Sequence, residues 1–102
     1  MEVKFSTGRH TLTIFLCGEL DEYTADKTRD KIDDAICQPG ITTVVFDLGN
    51  LCFMDSTGIG VLIGRYKKLK ARGIPVCVKN VSCQIDKIFK MAGLYTIMPK
   101  VE

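Results

Sequence analysis

The sequence predicts an α/β fold: one domain with a mixed, mostly parallel sheet of four to five strands and about three helices. Three observations carry this. The chain has 102 residues, 46% of them hydrophobic, which suits a single domain over residues 1–102 with one buried core. Short β-rich runs alternate with segments of helical periodicity, in the order β-β-α-β-α-β-α-β. Strands alternating with helices of this length call for right-handed crossovers and parallel pairing.

Taken in order, VKFST (3–7) alternates weakly, Gly8-Arg9 turns, and TLTIFLC (11–17) reads as a strong strand. Leu12, Ile14 and Leu16 face one way, Phe15 and Cys17 the other, so both faces are expected to be covered. Gly18-Glu19-Leu20-Asp21 ends the strand. A helix over 24–37 places Ala25, Thr28, Ile32, Ala35 and Ile36 on one stripe, and Pro39-Gly40 stops it. TTVVFDL (42–48) fits a buried central strand. Residues 49–55 read as a loop into a glycine-bearing helix whose apolar stripe is Ile59, Leu62, Ile63, Tyr66 and Leu69, with Gly73 as its C′ residue. IPVCVK (74–79) is the next strand. Ser82 caps a third helix carrying Ile85, Ile88, Phe89 and Ala92 and closed by Gly93; Thr96–Met98 form a short last strand.

Composition excludes several function classes. The net charge of +2, with no basic run interleaved with aromatics, argues against nucleic acid. No apolar stretch approaches the roughly 18 residues of a membrane span. The N-terminus lacks the apolar core of a secretory signal. A cytoplasmic protein is therefore expected, and its five cysteines are expected to be free thiols, with Cys52 and Cys83 the exposed ones. With one histidine and no C-x-x-C, no metal site and no cofactor are expected.

The stretch DSTGIGVLIG (55–64) concentrates the unusual features. Glycine inside a helix costs about 1 kcal/mol relative to alanine, yet Gly58, Gly60 and Gly64 all lie here. Close packing is the expectation for Gly64, and exposed backbone for Gly58 and Gly60. Ser56 reads either as the helix N-cap or as a modification site, since a phosphate at a helix N-terminus meets free N–H groups and the positive dipole end. Other chemistries fit poorly. G-I-G-V-L-I-G is one residue too long for a dinucleotide loop. No base accompanies Ser56, His10 being in a distant turn, so no catalytic residue is expected. Arg65, Lys67, Lys68, Lys70 and Arg72 read as a solvated face complementing the dipole. The topology should bring Asp21 beside the Asp55-Ser56 segment.

FMDSTGIGVLIGRYKKLKARG (53–73), GELDEYTADKTRDKI (18–32) and FKMAGLYTIM (89–98) together resemble the STAS domain of anti-sigma factor antagonists, in particular those of the sporulation sigma-F type. The resemblance covers nearly the whole chain. It implies a phosphorylation cycle. A partner that is both anti-sigma factor and serine kinase would bind the unmodified form, release its sigma factor, and phosphorylate Ser56; a serine phosphatase would reset the switch. It implies docking through Gly18, Glu19, Leu20, Asp21, Asp55, Thr57, Gly58 and Gly60. The family continues past the closing strand into a final helix, and this sequence ends at Glu102. The alternatives are a small nucleotide- or phosphate-binding module and a regulator of the general stress response built on the same domain.

Overall fold

A computed structural model describes residues 1–101. Along the chain lie β1 (Glu2–Gly8), β2 (Thr11–Leu20), α1 (Ala25–Ile36), β3 (Thr43–Asp47), β4 (Leu51–Met54), α2 (Ser56–Ala71), β5 (Val76–Lys79), α3 (Cys83–Met91) and a 3-10 turn, Leu94–Thr96. The sheet runs β1-β2-β3-β5, and β4 pairs with the far end of β2 on the β3 side. Only β1–β2 is antiparallel; β2–β3, β2–β4 and β3–β5 are parallel. The mixed, mostly parallel sheet matches the sequence expectation.

The hairpin turns on Arg9 and His10, both left-handed (φ 51° and 69°). Two such residues define the tight turn whose twist suits a two-residue hairpin. His10 Nδ1–H donates to the Gly40 carbonyl at 2.9 Å, which ties this end of β2 to the loop before β3.

Register builds the core directly. Leu12 lies opposite Val44 and Ile14 opposite Phe46; Val44 in turn faces Val76, and Phe46 faces Val78. All seven side chains in the row that ends with Leu16 are buried. The other face of the sheet is only half-buried at Phe15, Cys17, Val45 and Cys77. The expectation that β2 is covered on both sides is thus corrected: the helices bury one face. Helix α1 buries Ala25, Thr28, Ile32, Ala35 and Ile36, the five residues its spacing predicts.

Two further expectations are overturned. Residues 51–54 are a strand, β4, rather than loop. Thr96–Met98 are not a strand: the left-handed Gly93 (φ 69°) opens the 3-10 turn, Thr96 Oγ1 donates to the Gly93 carbonyl, and the chain rejoins the sheet at Lys100, opposite Val78.

The ends of α2 and α3 follow the predicted caps. Gly73 (φ 72°) stands at C′, with its N–H donating to Lys70 O and that of Ile74 to Leu69 O. These are the two bonds of a Schellman ending. Ser82 Oγ accepts from the Ile85 N–H at 3.3 Å.

The stripe of α2 differs from expectation. Its buried residues are Gly58, Val61, Leu62, Arg65 and Leu69, while Ile59, Ile63 and Tyr66 sit half-buried at the margin. The cause is Arg65, which is not on a solvated face. It is 6% exposed, and its Nε lies 2.8 Å from Asp33 Oδ1 on α1. The distance is that of an ion pair, although the N–H is not aligned for a hydrogen bond. Lys68 Nζ reaches the other oxygen of Asp33 at 3.1 Å, and Arg72 donates to the Ile36 carbonyl. Three of the five predicted surface cations thus fasten α2 to α1.

Asp86 organises the C-terminal end. It accepts from the Tyr95 hydroxyl and meets Lys90 Nζ at 3.0 Å and Lys100 Nζ at 3.4 Å. The Tyr95 hydrogen bond, then those of the lysines, hold its carboxyl down to about 2. Burial, then the Asp86 carboxylate, pushes Tyr95 up to about 12. A carboxyl lowered in the folded state stabilises above its unfolded value near 4 and loses that contribution as pH falls toward about 2. A phenol raised in the folded state stabilises below about 10 and loses that as pH rises through about 12. Melting of the wild type is therefore expected to fall across both windows. Asp86→Asn should melt lower at neutral pH and show a flatter acid limb; an acid limb parallel to wild type would show that Asp86 is not its source.

Candidate functional site

The parallel register of β2 with β4 assembles the site. Gly18 pairs with Leu51, Glu19 with Phe53 and Leu20 with Met54, with an irregularity between Gly18 and Glu19. The next residue of each strand is Asp21 and Asp55. The Asp55 N–H donates to Leu20 O at 3.3 Å, so the two loop entries are stitched together. Ligand sites of open α/β sheets gather at such strand ends. The expected neighbourhood of Asp21 and the Asp55-Ser56 segment is what the register produces. Strand β2 extends to Leu20, past the predicted end at Cys17.

Asp21 shapes its own loop. Its Oδ1 accepts from the N–H of Tyr23 at 2.9 Å and of Thr24 at 3.1 Å, and its N–H donates to Thr24 Oγ1 at 3.0 Å. Thr24 Oγ1 in turn donates to Glu19 O at 2.9 Å. Thr24, which the sequence reading passed over, thus closes the loop before α1; an Asp three residues ahead of a Thr at a helix start is the signal that could have found it.

Asp55, not Ser56, is the N-cap of α2, its Oδ1 accepting from the Gly58 N–H at 3.0 Å. The capping role expected for Ser56 is corrected accordingly. Ser56 is the first helical residue, and both it and Thr57 are exposed. Of the first N–H groups, which lack partners within a helix, that of Gly58 is taken by Asp55. Ser56 is exposed at the positive end of a sixteen-residue helix, on a ledge formed by the two strand ends.

Gly58 and Gly64 exchange the roles expected of them, while Gly60 is exposed as expected. A Cβ on Gly58 would meet Leu20 O at 2.5 Å, Met54 Cγ at 2.7 Å and Leu20 Cγ at 2.9 Å. Gly58 is therefore the residue of close approach: the first turn of α2 lies directly on the ends of β2 and β4. Around Gly60 and Gly64, among the described residues, nothing beyond the chain neighbours and the helix's own backbone lies within 4 Å of such an atom. Gly58→Ala should lower stability by about 1–3 kcal/mol through overpacking. Gly60→Ala, free of clash, should raise it by up to about 1 kcal/mol through helix propensity. Urea titration of both variants checks the contrast, and equal effects would refute the close-approach role.

The remaining predicted residues fall as follows. Gly18 is left-handed (φ 111°) and half-buried, Glu19 is exposed, and Leu20 and Gly58 are buried, so the last two can shape the surface but not form it. Phe53, 42% exposed on β4 opposite Glu19, is a surface aromatic of this ledge that the sequence reading missed. His10 stands at the opposite end of β2, about 30 Å away for a ten-residue strand. Among the described residues no group of three or more His, Cys, Asp or Glu is placed to hold a metal, and no helix is long and apolar enough to cross a membrane. All five cysteines are free, with Cys37, Cys52 and Cys83 exposed; burial pushes the Cys77 thiol up.

Fold and site together define a class: residues 2–102 match the STAS domain, and the chain belongs to that family. Among its relatives, the anti-sigma F factor antagonist of Paenibacillus polymyxa is 37% identical over 99 residues, covering 97% of this chain and 85% of that protein. The anti-sigma-B factor antagonist of Listeria monocytogenes is 33% identical over 98 residues, covering 96% and 84%. The structure of the Bacillus cell fate determinant SpoIIAA in its phosphorylated form superposes with a TM-score of 0.74 at 33% identity, over 99% of this chain and 92% of that one.

Proposed function

We propose that this protein is an anti-sigma factor antagonist, a cytoplasmic binding module without catalytic activity of its own, switched by phosphorylation of Ser56. The observation that carries the reading is the exposed Ser56 hydroxyl at the head of α2, on a ledge with Asp21 beside it. An exposed serine suits a substrate that enters another enzyme's active site. It does not suit a nucleophile, which needs a base within hydrogen-bond reach. The higher identity to the sigma-F antagonist than to the sigma-B one favours the sporulation-type circuit over the stress-type one.

In this reading the unmodified protein docks an anti-sigma factor that is also a serine kinase. Contacts come from Glu19, Asp21, Thr57 and the bare backbone at Gly60, with Gly18 and Asp55 holding the two loops. Leu20 and Gly58 keep the ledge in register. Phosphate on Ser56 adds close to two negative charges without disturbing the core, and a serine phosphatase removes it. The test is incubation with the cognate anti-sigma kinase and ATP. The expected result is a mass gain of about 80 Da, absent in Ser56→Ala. In the same assay Asp21→Asn, which keeps the loop's acceptor oxygen, should melt near wild type but bind the kinase at least about tenfold more weakly, roughly 1.4 kcal/mol. Turnover of a nucleotide by the purified protein alone would overturn the reading.

A further inference from the structure

The groove between β1 and α1 belongs to none of the features above. Among the described residues strand β1 pairs with β2 alone, so the backbone N–H and C=O groups along its outer edge have no strand partner there. Such edges template pairing with another chain unless they are short, bulged, broken by proline or charged. This one has seven residues, an unbroken register with β2 and no proline. Its charges, Glu2 and Lys4, lie on one face of the strand and pair with each other at 3.7 Å. Val3 and Phe5 occupy the opposite face, and Phe5 is 41% exposed.

On that second face α1 forms a wall. Two adjoining cavities of about 280 and 300 Å³ run along it and share Lys31. Val3, Tyr23, Lys27 and the buried Thr28 line the first, Phe5 and the exposed Asp34 the second. Lys27 and Lys31 are one helical turn apart and exposed, and neither has an ion-pair partner among the described residues. The groove therefore combines three features: an open strand edge, the apolar side chains of Val3 and Phe5, and a wall on which two lysines, both lining the first cavity, outnumber the one carboxylate, Asp34, of the second.

We propose that this edge receives an extended acidic segment of a protein partner as an added strand. Its backbone pairs with β1, its apolar side chains reach Val3 and Phe5, and its carboxylates meet Lys27 and Lys31. Main-chain bonds give such strand addition its affinity, and alternate side chains its specificity. A second copy of this chain is the poorer occupant. Antiparallel β1–β1′ pairing in one continuous sheet would place both α1 helices on the same face and turn four lysines toward each other. The groove begins at Tyr23, two residues from Asp21, yet does not involve Ser56.

The test uses a capped seven-residue peptide whose odd positions, which share one face of a strand, carry valine and glutamate in turn and whose even positions are threonine, with a counterpart in which lysine replaces glutamate. The protein is followed by amide NMR and hydrogen exchange. The valine–glutamate peptide is expected to slow exchange of alternate β1 amides and to shift Lys27 and Lys31 resonances. The Lys27→Glu/Lys31→Glu double variant should melt near wild type and bind at least about tenfold more weakly. Ser56→Asp should bind the peptide as wild type does, which separates this site from the switch. Unslowed β1 amides, equal binding of the lysine peptide, or peptide-free protection of β1 that grows with protein concentration would each overturn the proposal, the last in favour of self-association.

Discussion

Replacing Asp33 with alanine is expected to lower stability by about 3–5 kcal/mol, since removing one member of a buried pair strands the other charge. Arg65 is the group left behind: its side chain is 8% exposed, against 24% for Asp33, and it lies in the seam between α1 and α2. Lys68 also loses its partner, but its ammonium is more than half exposed and adds little. Asp30→Ala makes the control. Asp30 pairs with Arg29 on the solvent face, and its removal should stay within about 0.5 kcal/mol. Urea denaturation with unchanged slope would measure both. Converting Asp33 and Arg65 together to leucine should recover most of the loss, because a buried pair is often matched by apolar side chains of similar size. A loss below about 1 kcal/mol for Asp33→Ala would mean that Arg65 reaches water once released.

Arg65 also marks where the sequence stops being informative. In a helix ending YKKLKARG, an arginine reads as one more solvated cation; only the approach of α1 and α2 makes it internal. Helix α1 was legible down to its five buried residues because their spacing alone sets the face. Strand β4 was not. It has four residues, with buried Leu51 and Met54 flanking exposed Cys52 and Phe53, so its pattern lacks the alternation by which strands are recognised. The irregularity between Gly18 and Glu19 in its partner accompanies this pattern. Thr96–Met98 misled in the opposite sense, since residues with β preference follow a glycine that starts a 3-10 turn. The glycines show the same limit. Spacing reveals that three lie in one helix, but which of them touches another backbone depends on the register of β2 with β4. The placement of Asp21 beside Asp55 was legible because strand-end geometry follows from topology, which the element order already contains.

Phosphorylation of Ser56 is expected to weaken binding of the anti-sigma kinase by at least about a hundredfold, roughly 2.7 kcal/mol, while melting stays at or above that of the unmodified protein. The two halves of this expectation have separate causes. Within the fold, the group is added at the first residue of α2, outside the core, where N–H groups and the helix dipole favour an anion. At the surface, nearly two negative charges join a ledge that already carries Glu19, Asp21 and Asp55. A partner complementary to the unmodified ledge must then desolvate the phosphate without a group placed to receive it, and unpaired or like-charge contacts of that kind cost several kcal/mol. Ser56→Asp carries about one charge on a shorter side chain and should fall between the two states. Ser56→Ala should bind the kinase about as well as wild type and remain bound in the presence of ATP. Titration calorimetry on the four forms, with melting measured on the same samples, separates the two causes. A phosphorylated sample that binds like wild type would place the switch elsewhere. One that binds weakly but also melts well below wild type would show that the phosphate acts by loosening the first turn of α2 rather than by repelling the partner.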